Sequence, residues 1–214
     1  MSTDDHLSEL PLFPLGTVLF PDGLLPLRIF EVRYLDMIAR CHKSGSAFGV
    51  VGLTRGSEVR SAALEQKDSS ESFHSVGTLA RIVDYAAPQA GLLVIRCQGD
   101  RRFSVKSSHK LRHGLWVADA QLLALDRVMP IPEDLQHIAQ GLRKLLEQLR
   151  QRDVPPEQIP LIQPYRFDDC DWVANRWCEL LPIPLDMKQG LMALDNPLLR
   201  LELVSDLLDK SGWA

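Results

Sequence analysis

The chain changes its hydrophobic period near residue 130. Before that point, short apolar runs alternate with polar positions and end at turn residues, as strands do. After it, apolar residues recur at i, i+3, i+4 and i+7, as on amphipathic helices. In the first part, residues 24–30 read as a strand leading into a helix over 31–42. Val32, Leu35, Ile38 and Ala39 fall at helical spacing there, Phe30 and Tyr34 read as core residues, and Gly45 suits the helix stop. Residues 47–53 read as a buried strand whose glycines mark a close backbone approach or a bulge. Residues 54–72 are polar and rich in Ser, Glu and Lys, so they read as a long surface loop. Strands follow over 75–85, 92–97, 102–107 and 115–125, with turn signals at 87–91, Gly99-Asp100 and 109–114. Short strands at this spacing predict a small closed or half-closed barrel.

In the second part, Leu135, Ile138, Ala139, Leu142, Leu145, Leu146 and Leu149 make one helical stripe. Pro132 lies just ahead of it, and Glu133 and Asp134 fall in its first turn. Pro155, Pro156, Pro160 and Pro164 forbid continuous helix through the next stretch. Three more helices read over 171–181, over 185–194 and from Pro197 onward, carrying Leu198, Leu201, Val204, Leu207 and Leu208. Four helices on short loops predict a bundle. The expected fold is α+β: a barrel with one inserted helix in residues 1–130, then a C-terminal four-helix bundle in residues 131–214.

Composition narrows the function classes. The 214 residues, 45% hydrophobic, suffice for one large or two small domains with real cores. A net charge of -4 excludes a molecule built over its whole surface to coat nucleic acid or anionic membrane. The start is acidic and lacks the basic and apolar regions of a signal peptide. Its longest uncharged stretch, residues 10–21, is too short and proline-broken to span a bilayer. A cytoplasmic protein with no membrane partner is expected. Cys41, Cys97, Cys170 and Cys178 form no C-x-x-C pair, so reduced structural thiols are expected.

Candidate chemistry is sparse. Cys41 and His42 are adjacent on a helix and point about 100° apart, so they do not form a nucleophile–base pair. His109 and His113 flank a loop without a third ligand type beside them. Asp168, Asp169 and Asp171 resemble a cation cluster, but they precede a helix and suit capping. No catalytic residue, metal or cofactor is expected. Arg28, Glu31 and Arg33 could line a groove that grips a peptide. The preferred reading has the arginines pairing with carboxylates of the helical part, with Trp172 and Trp177 at the same seam. The strongest charge signal is Arg96, Arg101, Arg102, Lys106, Lys110 and Arg112 against Asp100 alone. Such a basic hairpin could contact phosphates, or could be a solvated strand pair that resists edge pairing.

Several segments carry a family resemblance. The opening ELPLFPLGTVLFPDGLLPLRIFEVRY (residues 9–34), FGVVGL (48–53), VGTLARI (76–82) and GDRRF (99–103) come in order. W-x-A-N-R-x-x-E-L-L-P (172–182) and KQGLMALDNPLLRLELV (188–204) follow. Together they resemble the N-terminal, substrate-binding domain of Lon proteases over almost the whole chain. Val32 sits where that family often has proline, and Trp177 and Cys178 replace commoner aliphatic residues. The resemblance implies a PUA-like β-barrel; PUA folds of other families bind RNA. Full-length Lon proteases add an ATPase and a Ser-Lys peptidase module. A phosphate loop needs G-x-x-x-x-G-K-[ST], and no Gly-Lys pair occurs in these residues. A stand-alone, non-enzymatic domain is therefore expected.

The expected function is recognition of an unfolded polypeptide or a partner protein. The candidate surface is Phe20, Pro21, Leu24, Leu25 and Arg28, since clustered exposed apolar residues mark interaction sites and a barrel edge can add a peptide strand. RNA binding through the basic hairpin is the alternative.

Overall fold

The computed structural model describes residues 5–55, 71–155 and 159–212. The chain forms two compact units, Met1–Ala124 and Leu125–Ala214. The first holds β1 (His6–Leu15), β2 (Leu24–Ile29), α1 (Val32–Ser44), β3 (Phe48–Arg55), β4 (Ser72–Gln89), β5 (Leu92–Lys110) and β6 (Trp116–Leu122). They make one six-stranded sheet in the order β2-β5-β4-β3-β1-β6, and β5 pairs with β6 as well. The pairings thus return on themselves through β5, β4, β3, β1 and β6, with β2 added alongside β5. Only β1 and β3 are parallel.

The glycines of the quoted motifs explain how the strands close up. A Cβ at Gly49 would lie 2.6 Å from the ring of Phe103, and one at Gly77 would lie 2.7 Å from it. Phe103 is fully buried and fills the space both glycines leave. Gly99-Asp100 is not a turn, contrary to the sequence expectation: β5 continues through it, with a register shift against β4 between Gly99 and Arg102. The carbonyl of Phe20 approaches Gly99 so closely that the backbone needs glycine there. The expected loop over 54–72 is shortened at both ends by β3 and β4. Residues 56–70 lie outside the described residues.

Helix α1 ends where expected, with Gly45 in the left-handed region at φ 69°. Its buried face differs from the expected one and consists of Arg33, Tyr34, Met37, Ile38 and Cys41. Tyr34 sets this face by stacking on Phe13 at 4.0 Å between ring centres. Val32 and Ala39 point outward instead.

The second unit holds a 3-10 turn (Glu133–Leu135), α2 (Gln136–Gln151), α3 (Cys170–Leu180), α4 (Leu185–Ala193) and α5 (Pro197–Ser211). Helix α3 contacts α2, α4 and α5 and is buried from Cys170 to Cys178, so the helices gather around it. Asp169 caps α3 by accepting from the Asp171 N–H, and Asn196 caps α5 ahead of Pro197. The unit begins before residue 130 because Met129 and Ile131 hydrogen-bond to Cys170 and Asp168, beside a bridge from Pro130 to Asp169.

Candidate peptide-binding site

The segment between β1 and β2 is pinned at its start. Val18, Leu19 and Phe20 are buried, and Thr78 Oγ1 donates to the Leu19 carbonyl at 2.6 Å. Phe20 is 0% exposed, which removes it from the candidate contact surface and makes it a support beneath it. Pro21, Leu24 and Leu25 are half-buried and Arg28 is exposed. Among the described residues, β2 pairs only with β5, so its other edge is open.

That edge is poorly suited to adding a strand. Gly99 N–H donates to the Gly23 carbonyl at 2.9 Å, which points Gly23 toward β5. Backbone groups alternate along a strand, so those of Leu24, Pro26 and Arg28 face outward. Proline has no N–H, and the middle donor of the open edge is missing.

Two exposed apolar residues, which the sequence pattern places in the core, continue this surface. Phe30 is 55% exposed and Val32 is 72% exposed. Between the end of β2 and the start of α1 lies a cavity of about 100 Å³. Phe13, Leu15, Ile29 and Tyr34 form its buried apolar wall, and Leu27, Arg28, Phe30 and Glu31 complete it.

The charges beside this cavity are unequally engaged. Arg33 Nε donates to Glu31 at 2.9 Å, and its Nη1 donates to the Gly114 carbonyl at 2.9 Å and reaches Glu71 at 3.4 Å. Burial alone would lower the Arg33 pKa, but Tyr34, Glu31 and Glu71 outweigh it and raise it. Among the described residues these partners lie in the first unit, in place of the expected carboxylates of the helical part. Glu71 also accepts from Lys110 at 2.7 Å and from the Trp116 indole at 2.9 Å. Arg28, by contrast, makes no ion pair among the described residues.

The basic hairpin is spent largely within the protein. Arg102 is buried. Arg101 pairs with Asp5 at 3.1 Å and donates to the Leu123 carbonyl, Arg96 pairs with Asp84 at 3.3 Å, and Lys110 is held by Glu71. Lys106 and Arg112 are exposed. Phosphate contacts need several cations on one open face, and four of these six are buried or held by carboxylates.

The other sequence candidates resolve into structure. Cys41 is buried, while His42 is exposed and stacks on Tyr85 at 4.0 Å. Burial, with a contribution from Cys41, pushes the Cys97 thiol up to about 12, and burial takes Cys178 to about 12 as well. His109 lies 4.0 Å from Glu9. No group of three potential metal ligands occurs among the described residues. Trp172 packs edge-on against Phe167, and Trp177 donates to the Ile138 carbonyl at 3.0 Å, so both are core of the second unit. Larger cavities of about 410 and 370 Å³ lie beside Arg150 and Tyr165. The larger sets Arg150 against Asp153, and the smaller sets Arg143 and Arg150 against Glu147. No helix among the described residues is long and apolar enough to cross a membrane.

A sheet whose pairings return on themselves in one unit, and helices gathered on α3 in the other, make up a substrate-recognition domain of Lon type. The model of the ATP-dependent protease La (LON) substrate-binding domain matches residues 9–210, and the chain belongs to that family. The Lon N-terminal domain protein from Xanthomonas campestris is similar over 94% of this chain and 98% of its own, at 30% identity and a TM-score of 0.70. The N-terminal domain of a Mycobacterium avium complex Lon protease shares the fold at 17% identity and a TM-score of 0.56, over 92% of this chain and 96% of its own. Among curated proteins, a Lon protease of Anaeromyxobacter dehalogenans is 23% identical over 98% of this chain but only 24% of its own length. One from Flavobacterium johnsoniae is 27% identical over 49% of this chain and 12% of its own. The chain therefore spans a quarter or less of these relatives.

Proposed function

We propose that this chain is a non-catalytic protein-recognition module that binds unfolded or exposed apolar segments of other proteins in the cytoplasm. The strands would serve as a PUA-like barrel and the helices of the second unit as a bundle, and the contact surface runs from Pro21, Leu24, Leu25 and Arg28 to Phe30 and Val32. The observation that carries this reading is the exposure of Phe30 and Val32 beside an apolar cavity, in a chain whose family match lies wholly within a substrate-binding domain. Two exposed apolar side chains beside one apolar cavity are accounted for by a ligand that covers them.

The test is an NMR titration of the isotopically labelled protein with unfolded casein. Shifts concentrated on Leu24, Leu25, Arg28, Phe30 and Val32, with the casein left intact in the presence of ATP, support the reading. Absence of association, or shifts confined to Leu125–Ala214, would overturn it.

A further inference from the structure

We infer that the cavity between β2 and α1 is an anchor for one apolar side chain, of leucine size, in a segment that carries a carboxylate beside it. This rests on the proposed function and specifies its ligand. Pockets for cofactors and drug-sized molecules run to about 300–1,000 Å³. At about 100 Å³ this one is too small for them and holds a single side chain. Its wall of Phe13, Leu15, Ile29 and Tyr34 is apolar, and these residues belong to a packed core that would not open further.

The acidic neighbour follows from the charges. Glu31 is neutralised by Arg33, whose guanidinium is itself held by Gly114 and Glu71. Arg28 is exposed, lines the same cavity and has no ion-pair partner among the described residues. The net field at the mouth is positive, which favours a carboxylate on the bound segment and disfavours a lysine. Pro26 keeps that segment from completing a backbone ladder along β2, so the side chain rather than the main chain provides the hold.

The experiment uses the whole chain, a short Gly/Ser peptide with one leucine and an aspartate two residues along, and unfolded casein as a second probe. NMR titration should give a dissociation constant on the order of millimolar for the peptide, as expected for one anchor. Replacing the peptide leucine by alanine, or filling the cavity with Leu27→Phe, should each weaken binding about tenfold. Arg28→Glu, at an exposed position, should reverse the preference between aspartate and lysine peptides by about threefold each way. If Leu27→Phe fails to fold, the peptide substitution and Arg28→Glu still decide. Casein binding that is equal for wild type and both variants, with no discrimination between peptides, overturns the anchor and leaves the recognition reading standing. Absence of binding to either probe overturns both.

Discussion

The carbonyl oxygen of Phe20 sits where a side chain on Gly99 would begin: a Cβ there would be 2.1 Å away. The contact is backbone against backbone, fastened by hydrogen bonds from Asp22 N–H to the Gly99 carbonyl and from Gly99 N–H to the Gly23 carbonyl. Neither side can yield. Gly99→Ala is expected to destabilise the first unit by about 3 kcal/mol, measured by urea unfolding. A change below the error of that measurement would show that the segment is not pinned.

Arg200 carries an equivalent role in the second unit. It is fully buried on α5, donates to Asp171 and to Asn175 on α3, and lies 3.7 Å from Asp126. Its Nε also donates to the Leu191 carbonyl at 2.9 Å. Removing Asp171 leaves the buried Arg200 charge to the longer Asp126 contact, so it is poorly compensated. Asp171→Ala should cost about 4 kcal/mol, whereas alanine at the exposed Glu202 should cost almost nothing by the same unfolding measurement.

Glu71 predicts the pH response of the first unit. Burial pushes its carboxyl up, but hydrogen bonds from Lys110 and Trp116 and the charges of Arg33 and Lys110 outweigh burial, so the net shift is downward from 4.5. A carboxylate with a lowered folded pKa stabilises fully above its ordinary value, and that stabilisation is lost as pH falls through the folded one. Thermal unfolding followed below pH 4.5 should fall less steeply in Glu71→Gln than in wild type. Parallel curves would contradict this.

Pro26 guards the open edge of β2. Pro26→Val restores the missing N–H at an exposed position and should promote association between molecules through that edge. Sedimentation velocity on the variant and wild type reads this directly, and identical monomer fractions would contradict it.

The architecture was largely legible because it follows local periodicity and punctuation. The helix starting at Pro197, the stop at Gly45 and the cap before α3 all come from residue types acting within a few positions. What escaped the sequence depends on contacts far apart in the chain. Gly99-Asp100 has turn composition, and only the arrival of Phe20 makes it strand. Val32 and Ala39 fit a helical stripe, but Tyr34 stacking on Phe13 rotates the helix so that both face outward. The site suffered most from this, since Phe30 and Val32 have core chemistry and surface positions. Phe20 has the reverse fate, apolar in a turn-rich loop yet fully buried.

The central claim is that this surface binds unfolded polypeptide through exposed apolar side chains, and Val32→Asp tests it most directly. Val32 is the first residue of α1, where an acidic side chain favours the helix, so the variant should keep wild-type stability. Fluorescence anisotropy of labelled, unfolded casein should show saturable binding by the wild type, on the order of tens of micromolar, and at least about tenfold weaker binding by the variant. Equal binding by both proteins, or binding by neither, would contradict the account.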